Sequence, residues 1–140
     1  MPFALTPGQT AEVKNTVTPD RTAAAFGQNK EERYPAVLAT PFLIADLERA
    51  CAKILKPLLE TGQLSVGAQI DVRHTAPTGV GGSYIAKATF VEEIPPLFWF
   101  DVVAEDAAGI IGKGRIARAI VSEVEIEARG AKGASNVGDA

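Results

Sequence analysis

The chain has 140 residues, one domain's worth, enough to bury about two thirds of its unfolded surface in a single core. Its 14 lysines and arginines stand against 17 aspartates and glutamates, and the net charge of −3 argues against a nucleic-acid partner, which calls for a basic face. No apolar run approaches the ~20 residues of a membrane span, no basic start and apolar stretch marks a leader, and one cysteine with one histidine leaves too few ligands for a disulfide or a zinc site within the chain. A cytoplasmic, single-domain protein with no metal or other cofactor of its own is the expectation.

In chain order, Thr10 to Val17 alternates Ala11, Val13, Asn15 and Val17 against Glu12, Lys14 and Thr16, the pattern of a strand. Residues 18–39, with Pro19, Pro35 and the polar run from Gly27 to Arg33, read as a long, partly helical, lid-like loop. A helix opens at Thr40-Pro41, where threonine is suited to cap and proline to begin a helix. It is predicted to run to about Glu60 with Gly62 as its stop, although Pro57 is placed to shorten it. Four strands follow, at Ser65–Ala76, Tyr84–Glu93, Leu97–Asp106 and Ile110–Ile126, separated by turn signals at Pro77 to Gly82, Pro95-Pro96 and Ala107 to Gly109. One helix with a meander of antiparallel strands is an α+β layout. The domain is assigned to residues 1–129, and the Gly-, Ala- and Ser-rich residues 130–140 to a flexible tail.

Projected at 100° per residue, Leu43, Ile44, Leu47, Cys51, Ile54, Leu55 and Leu58 form one apolar face of the helix, and Cys51 reads as a small core residue. Asp46, Arg49, Lys53, Lys56 and Glu60 group on the other side, the face for solvent. Glu48 falls beside Leu55 and is the one carboxylate turned toward burial. Unpaired there it would lose several kcal/mol of hydration. It is either a boundary residue paired with a structural arginine or a carboxylate whose reactivity a pocket tunes. His74 continues the face of Val66, Ala68, Ile70 and Val72 in the next strand, with Gly67 on the opposite face. Its plain reading is a hydrogen-bonded core residue. Together with Glu48 in one pocket it is the minimum equipment for acid–base or nucleophilic chemistry. Gly112 and Gly114 read as close-packed strand positions, and Lys113, Arg115 and Arg118 as a solvated strand face.

The segments Val37 to Cys51 and Ser65 to Thr78, with Thr40, Glu48 eight residues on and His74 twenty-six beyond that, resemble the fluoroacetyl-CoA thioesterase-like branch of the hotdog superfamily, over roughly Val17 to Ile126. The resemblance implies a hotdog fold, a long central helix wrapped by an antiparallel sheet, and a homodimer or higher homo-oligomer with acyl-CoA sites at the subunit interface. It implies catalytic roles for Thr40, Glu48 and His74, a contribution from Gly67 to the thioester environment, and aromatic lid residues that recognise the acyl group. Here the lid segment Asn29 to Tyr34 is charged and supplies Tyr34 alone. An acyl-CoA thioesterase acting on a small or medium acyl group is therefore the first reading, with CoA entering only as part of the substrate and contact of Lys113, Arg115 and Arg118 with its phosphates as the alternative to a solvated strand face. A hydratase or dehydratase on the same fold, and a non-catalytic acyl-CoA-binding protein, are the alternatives.

Overall fold

The first helix, α1, spans Thr40–Leu55. Pro57 ends it: with no N–H to bond the previous turn, the chain tightens into a 3-10 turn at Lys56–Leu58. The α-helical part thus stops short of Glu60. Gly62, at φ +85°, then reverses the chain into the next strand, a conformation that glycine adopts without strain. The computed structural model describes residues 4–138.

Five antiparallel strands form one sheet: β1 (Thr10–Thr16), β2 (Gln63–His74), β3 (Ser83–Ile94), β4 (Leu97–Asp106) and β5 (Gly109–Ser122), in the order β1-β3-β4-β5-β2. The inward positions Tyr84, Ala86, Ala88 and Phe90 of β3, with Phe100, Val102 and Ala104 of β4, meet Leu43, Leu47, Ala50, Ile54 and Leu55 of α1. The alanines have no bulk, so the helix seats close to the sheet. Cys51 is fully buried here, and burial raises its thiol pKa to about 12, as suits an inert core residue. Gly112 and Gly114 are close-packed as expected. A Cβ on Gly114 would fall 2.0 Å from the Asp71 carbonyl, and one on Gly112 would fall 3.0 Å from Leu43.

Three expectations are corrected. β5 does not continue to Ile126. It ends at Ser122, whose hydroxyl accepts from the Glu125 N–H at 3.2 Å and caps a second helix, α2 (Glu123–Lys132). The signal was present as Ser122 followed three residues later by Glu125, a capping pair that the alternating pattern masked. Gly130 to Lys132, assigned to the tail, close that helix; Asp139 and Ala140 of the tail, and Met1 to Phe3, lie outside the described residues.

Asp46 is not on a solvent face. It is 2% exposed. It accepts from Tyr84 Oη, from Asn15 Nδ2 at 3.1 Å and from Arg49 Nη1 at 2.9 Å. Of the charged residues on that side it projects nearest to Leu43, at the edge where β1 and β3 close over the helix. Burial, and then the Asp46 carboxylate, hold the Tyr84 phenol well above its ordinary pKa. Asp46→Ala strands the Tyr84 hydroxyl and the Asn15 amide. We expect it to lower the unfolding free energy by about 3–5 kcal/mol, read as an earlier urea midpoint at unchanged m value. A loss below about 1 kcal/mol would show that the cluster contributes little to stability.

Candidate active site

Thr40 is the first residue of α1, not its cap: the N-cap is Ala39, whose side chain makes no capping hydrogen bond. The threonine hydroxyl instead shares a 2.8 Å hydrogen bond with His74 Nδ1. This joins the start of α1 to the last residue of β2. His74 Nε2 is buried and has no hydrogen-bond partner among the described residues. Burial holds the imidazole below its ordinary pKa of 6.5, against an opposing backbone contact at Ala76. The resting ring is neutral, and Nε2 is the nitrogen left for chemistry.

The sign of that shift makes a prediction. A histidine whose folded pKa lies below the unfolded value takes its proton first in the unfolded chain. Its contribution to stability is full above pH 6.5 and is lost as pH falls from there toward the folded pKa. Melting temperature should therefore drop on acidification below pH 6.5, and His74→Gln should flatten that part of the curve. Parallel curves for the two proteins would contradict it.

Glu48 sits elsewhere. Its Oε1 accepts from Arg118 Nη1 at 3.4 Å, with side-chain exposures of 27% for Glu48 and 10% for Arg118. Arg118 is held chiefly by Ser65, donating from Nη2 to the Ser65 carbonyl at 2.8 Å and from Nε to its hydroxyl at 3.2 Å. The reading of Arg118 as a solvated strand residue is corrected: it is buried, and it shares the inward face of β5 with Ile116 and Ile120. Strand alternation around Ile116 and Ile120 was the signal that could have found it. Lys113 and Arg115 do face solvent, Arg115 pairing with Asp101 at 3.3 Å.

Gly67 faces α1. A Cβ there would lie 2.0 Å from Glu48 Oε1, so glycine is what admits the carboxylate. Strict alternation put Gly67 on the face opposite His74, but the β2–β5 register slips between Gly67 and Gln69. That bulge turns Gly67, Ile70, Val72 and His74 to the same side, toward the helix. Within one chain these five residues therefore fall into two groups. Thr40 meets His74 at one end of β2, and Glu48 meets Gly67 and Arg118 toward the other. Seven residues of strand, about 20 Å, separate Gly67 from His74.

The lid-like segment folds into two 3-10 turns, Pro19–Arg21 and Ala23–Phe26, tied down by bridges from Thr22 to Leu38 and from Val37 to Gly79. Phe26 packs on Phe42 of α1 with ring centroids 5.8 Å apart, and the Arg21 guanidinium lies 5.4 Å from the Phe42 centroid. Phe26 and Tyr34 line a cleft of about 330 Å³ that reaches Thr40. A second cleft of about 280 Å³ shares Ala23 and Thr40 with it and reaches His74. Tyr34 thus lines the first of these clefts, together with Thr40. Phe26, upstream of the charged run, supplies a second aromatic that the sequence reading left out.

The family model described as fluoroacetyl-CoA-specific thioesterase, FlK, matches residues 17–124. The chain belongs to the FlK family. The fluoroacetyl-CoA thioesterase of Streptantibioticus cattleyicolor is 38% identical over 90 residues, which are 63% of this chain and 63% of that protein. FlK solved as a threonine-to-serine variant in complex with acetyl-CoA superposes with a TM-score of 0.86 at 26% identity, covering 94% of this chain and 100% of that one. A hot-dog-like protein from Thermanaerovibrio acidaminovorans, 19% identical, superposes at 0.77 over 93% of each chain and speaks for the fold alone. The architecture expected of the family, one helix wrapped by an antiparallel sheet in the hotdog fold, is the one observed. Among the described residues no helix is long and apolar enough to cross a membrane.

Proposed function

We propose that the protein hydrolyses the thioester of a small acyl-CoA, releasing the free acid and CoA, at sites shared between two subunits. The observation that carries this reading is the split of the site residues into two half-sites that face the same way at opposite ends of an edge strand. Among the described residues β2 pairs only with β5, and Gly67 to Asp71 are exposed along it, with Ile70 44% exposed although it points toward the helix side. Such an edge is built to be covered. Two copies pairing their β2 edges antiparallel about a two-fold axis between Ile70 and Asp71 would set Gly67 of one against His74 of the partner subunit. Glu48 would then meet the unpartnered Nε2.

In that arrangement Glu48 begins the reaction, either attacking the carbonyl or taking a proton from a water that does. His74, held by Thr40, gives a proton from Nε2 to the departing CoA sulfur and regains one from the water consumed, which in the direct-attack route hydrolyses the acyl–glutamyl anhydride. Arg118 fixes the carboxylate and adds a positive field where negative charge develops. The reaction draws on no cofactor beyond the CoA of the substrate, and a buried, unreactive Cys51 suits a reducing cytoplasm.

The test is release of free CoA, followed with a thiol-reactive dye, across acyl-CoA esters of increasing chain length. Turnover of short esters is the expected result. CoA retained with the acyl group hydrated or unsaturated would favour a hydratase or dehydratase, and tight binding without release would favour a non-catalytic acyl-CoA-binding protein. We expect fluoroacetyl-CoA to be favoured over acetyl-CoA by less than roughly a thousandfold in kcat/KM, because apolar contacts from Phe26 and Tyr34 discriminate by only about 1–3 kcal/mol. A larger preference would show that a dedicated fluorine pocket exists.

A further inference from the structure

A cleft of about 420 Å³ runs between α1 and the start of β2, lined by Arg49, Lys53, Lys56 and Arg118 with Leu59 and Leu64 among its apolar wall residues. Every charged residue lining it is a cation, in a chain whose net charge is −3. Some of that charge is engaged. Arg49 pairs with Asp46, Arg118 with Glu48, and Lys53 Nζ donates to the Glu12 carbonyl at 2.8 Å. Against these four cations stand two carboxylates, Asp46 and Glu48, so the cleft keeps a net excess of two positive charges. Lys56 makes no hydrogen bond or ion pair among the described residues and is exposed.

The position of the cleft is as telling as its sign. It begins at Arg118, the residue that holds Glu48, and Lys56 stands eight residues beyond Glu48, about 12 Å along the helix. Leu64, 41% exposed, offers an apolar wall between the two ends. We propose that this cleft receives the phosphate-bearing end of CoA, the 3′-phosphorylated adenosine diphosphate. Its pantetheine arm lies along Leu59 and Leu64, and its phosphates meet Lys53, Lys56 and the open side of Arg49. Glu48 carries charge of the same sign as the phosphates, so the cations also separate the two. The larger groove on the outer face of the sheet, about 500 Å³ around Arg73 and Lys113, is a poorer match. It carries Asp71 and Asp101 and lies on the side of the sheet away from Glu48 and His74.

The assignment of CoA rests on the thioesterase reading, and the test keeps the two apart. Adenosine 3′,5′-bisphosphate, used as the probe in calorimetry, should bind the wild-type protein. Lys53→Glu with Lys56→Glu should weaken it by roughly tenfold or more through two lost charge-assisted contacts, and Lys53→Arg with Lys56→Arg should retain it. In parallel, the ratio of kcat/KM for acetyl-CoA to that for acetylpantetheine, which lacks the nucleotide, should fall by a similar factor in the double glutamate variant. No binding of the bisphosphate by wild type, or equal binding by the glutamate variant, overturns the site whatever the activity. If wild type hydrolyses neither ester while the bisphosphate binds and the glutamates abolish it, the thioesterase reading fails and the nucleotide site stands.

Discussion

Glu48→Gln should remove turnover and leave the fold intact, the largest effect expected of any single substitution in this chain. The change keeps the shape and the oxygen that accepts from Arg118, but takes away the charge that drives attack or deprotonates water. A loss of about 10²–10⁴ in kcat is the scale set by removing a positioned acid–base group. Stability should hardly move. The pair with Arg118 is long at 3.4 Å, and Arg118 keeps its 2.8 Å bond to the Ser65 carbonyl, so the guanidinium is not orphaned. Partly exposed pairs of this kind contribute about 0–1 kcal/mol. The competing view, a boundary glutamate paired with a structural arginine, finds its arginine in Arg118 and predicts the reverse: a lower melting temperature with the folded fraction still active. Both quantities measured on one preparation decide between them. A destabilised, active Glu48→Gln protein would withdraw the catalytic role.

The second large effect comes from mixing two inactive proteins. If each site takes Glu48 from one subunit and His74 from the other, Glu48→Gln and His74→Ala homodimers are both impaired at every site. Refolded together, they form heterodimers in which one site carries both lesions and the other carries none. Statistical mixing then returns about a quarter of wild-type activity. No recovery, with heterodimers demonstrated by mass, would place each site within one chain and refute the shared arrangement. The recovery requires pairing through β2, so charges introduced at Ile70, on the exposed edge, should abolish dimers and activity together.

What the sequence determined by itself is local and periodic. The strand alternations, the helix opening at Thr40-Pro41, the breaks at Pro57 and Gly62, and the Cys51 core position all follow from backbone preferences and from which side chains water rejects. The spacing of Thr40, Glu48 and His74 carried the family. The tertiary structure decided which polar groups meet, because that depends on contacts distant in the chain. Asp46 looked solvent-facing by helical projection, yet Tyr84 and Asn15 arrive from two strands to bury it. Thr40 looked like a cap, yet a histidine thirty-four residues away claims its hydroxyl. Arg118 was one cation among three on a strand until Ser65 and Glu48 fixed it inward. A single extra residue beside Gly67 reversed the face that alternation had assigned to it, since a bulge arises from pairing with β5 and leaves no mark in a period-two pattern.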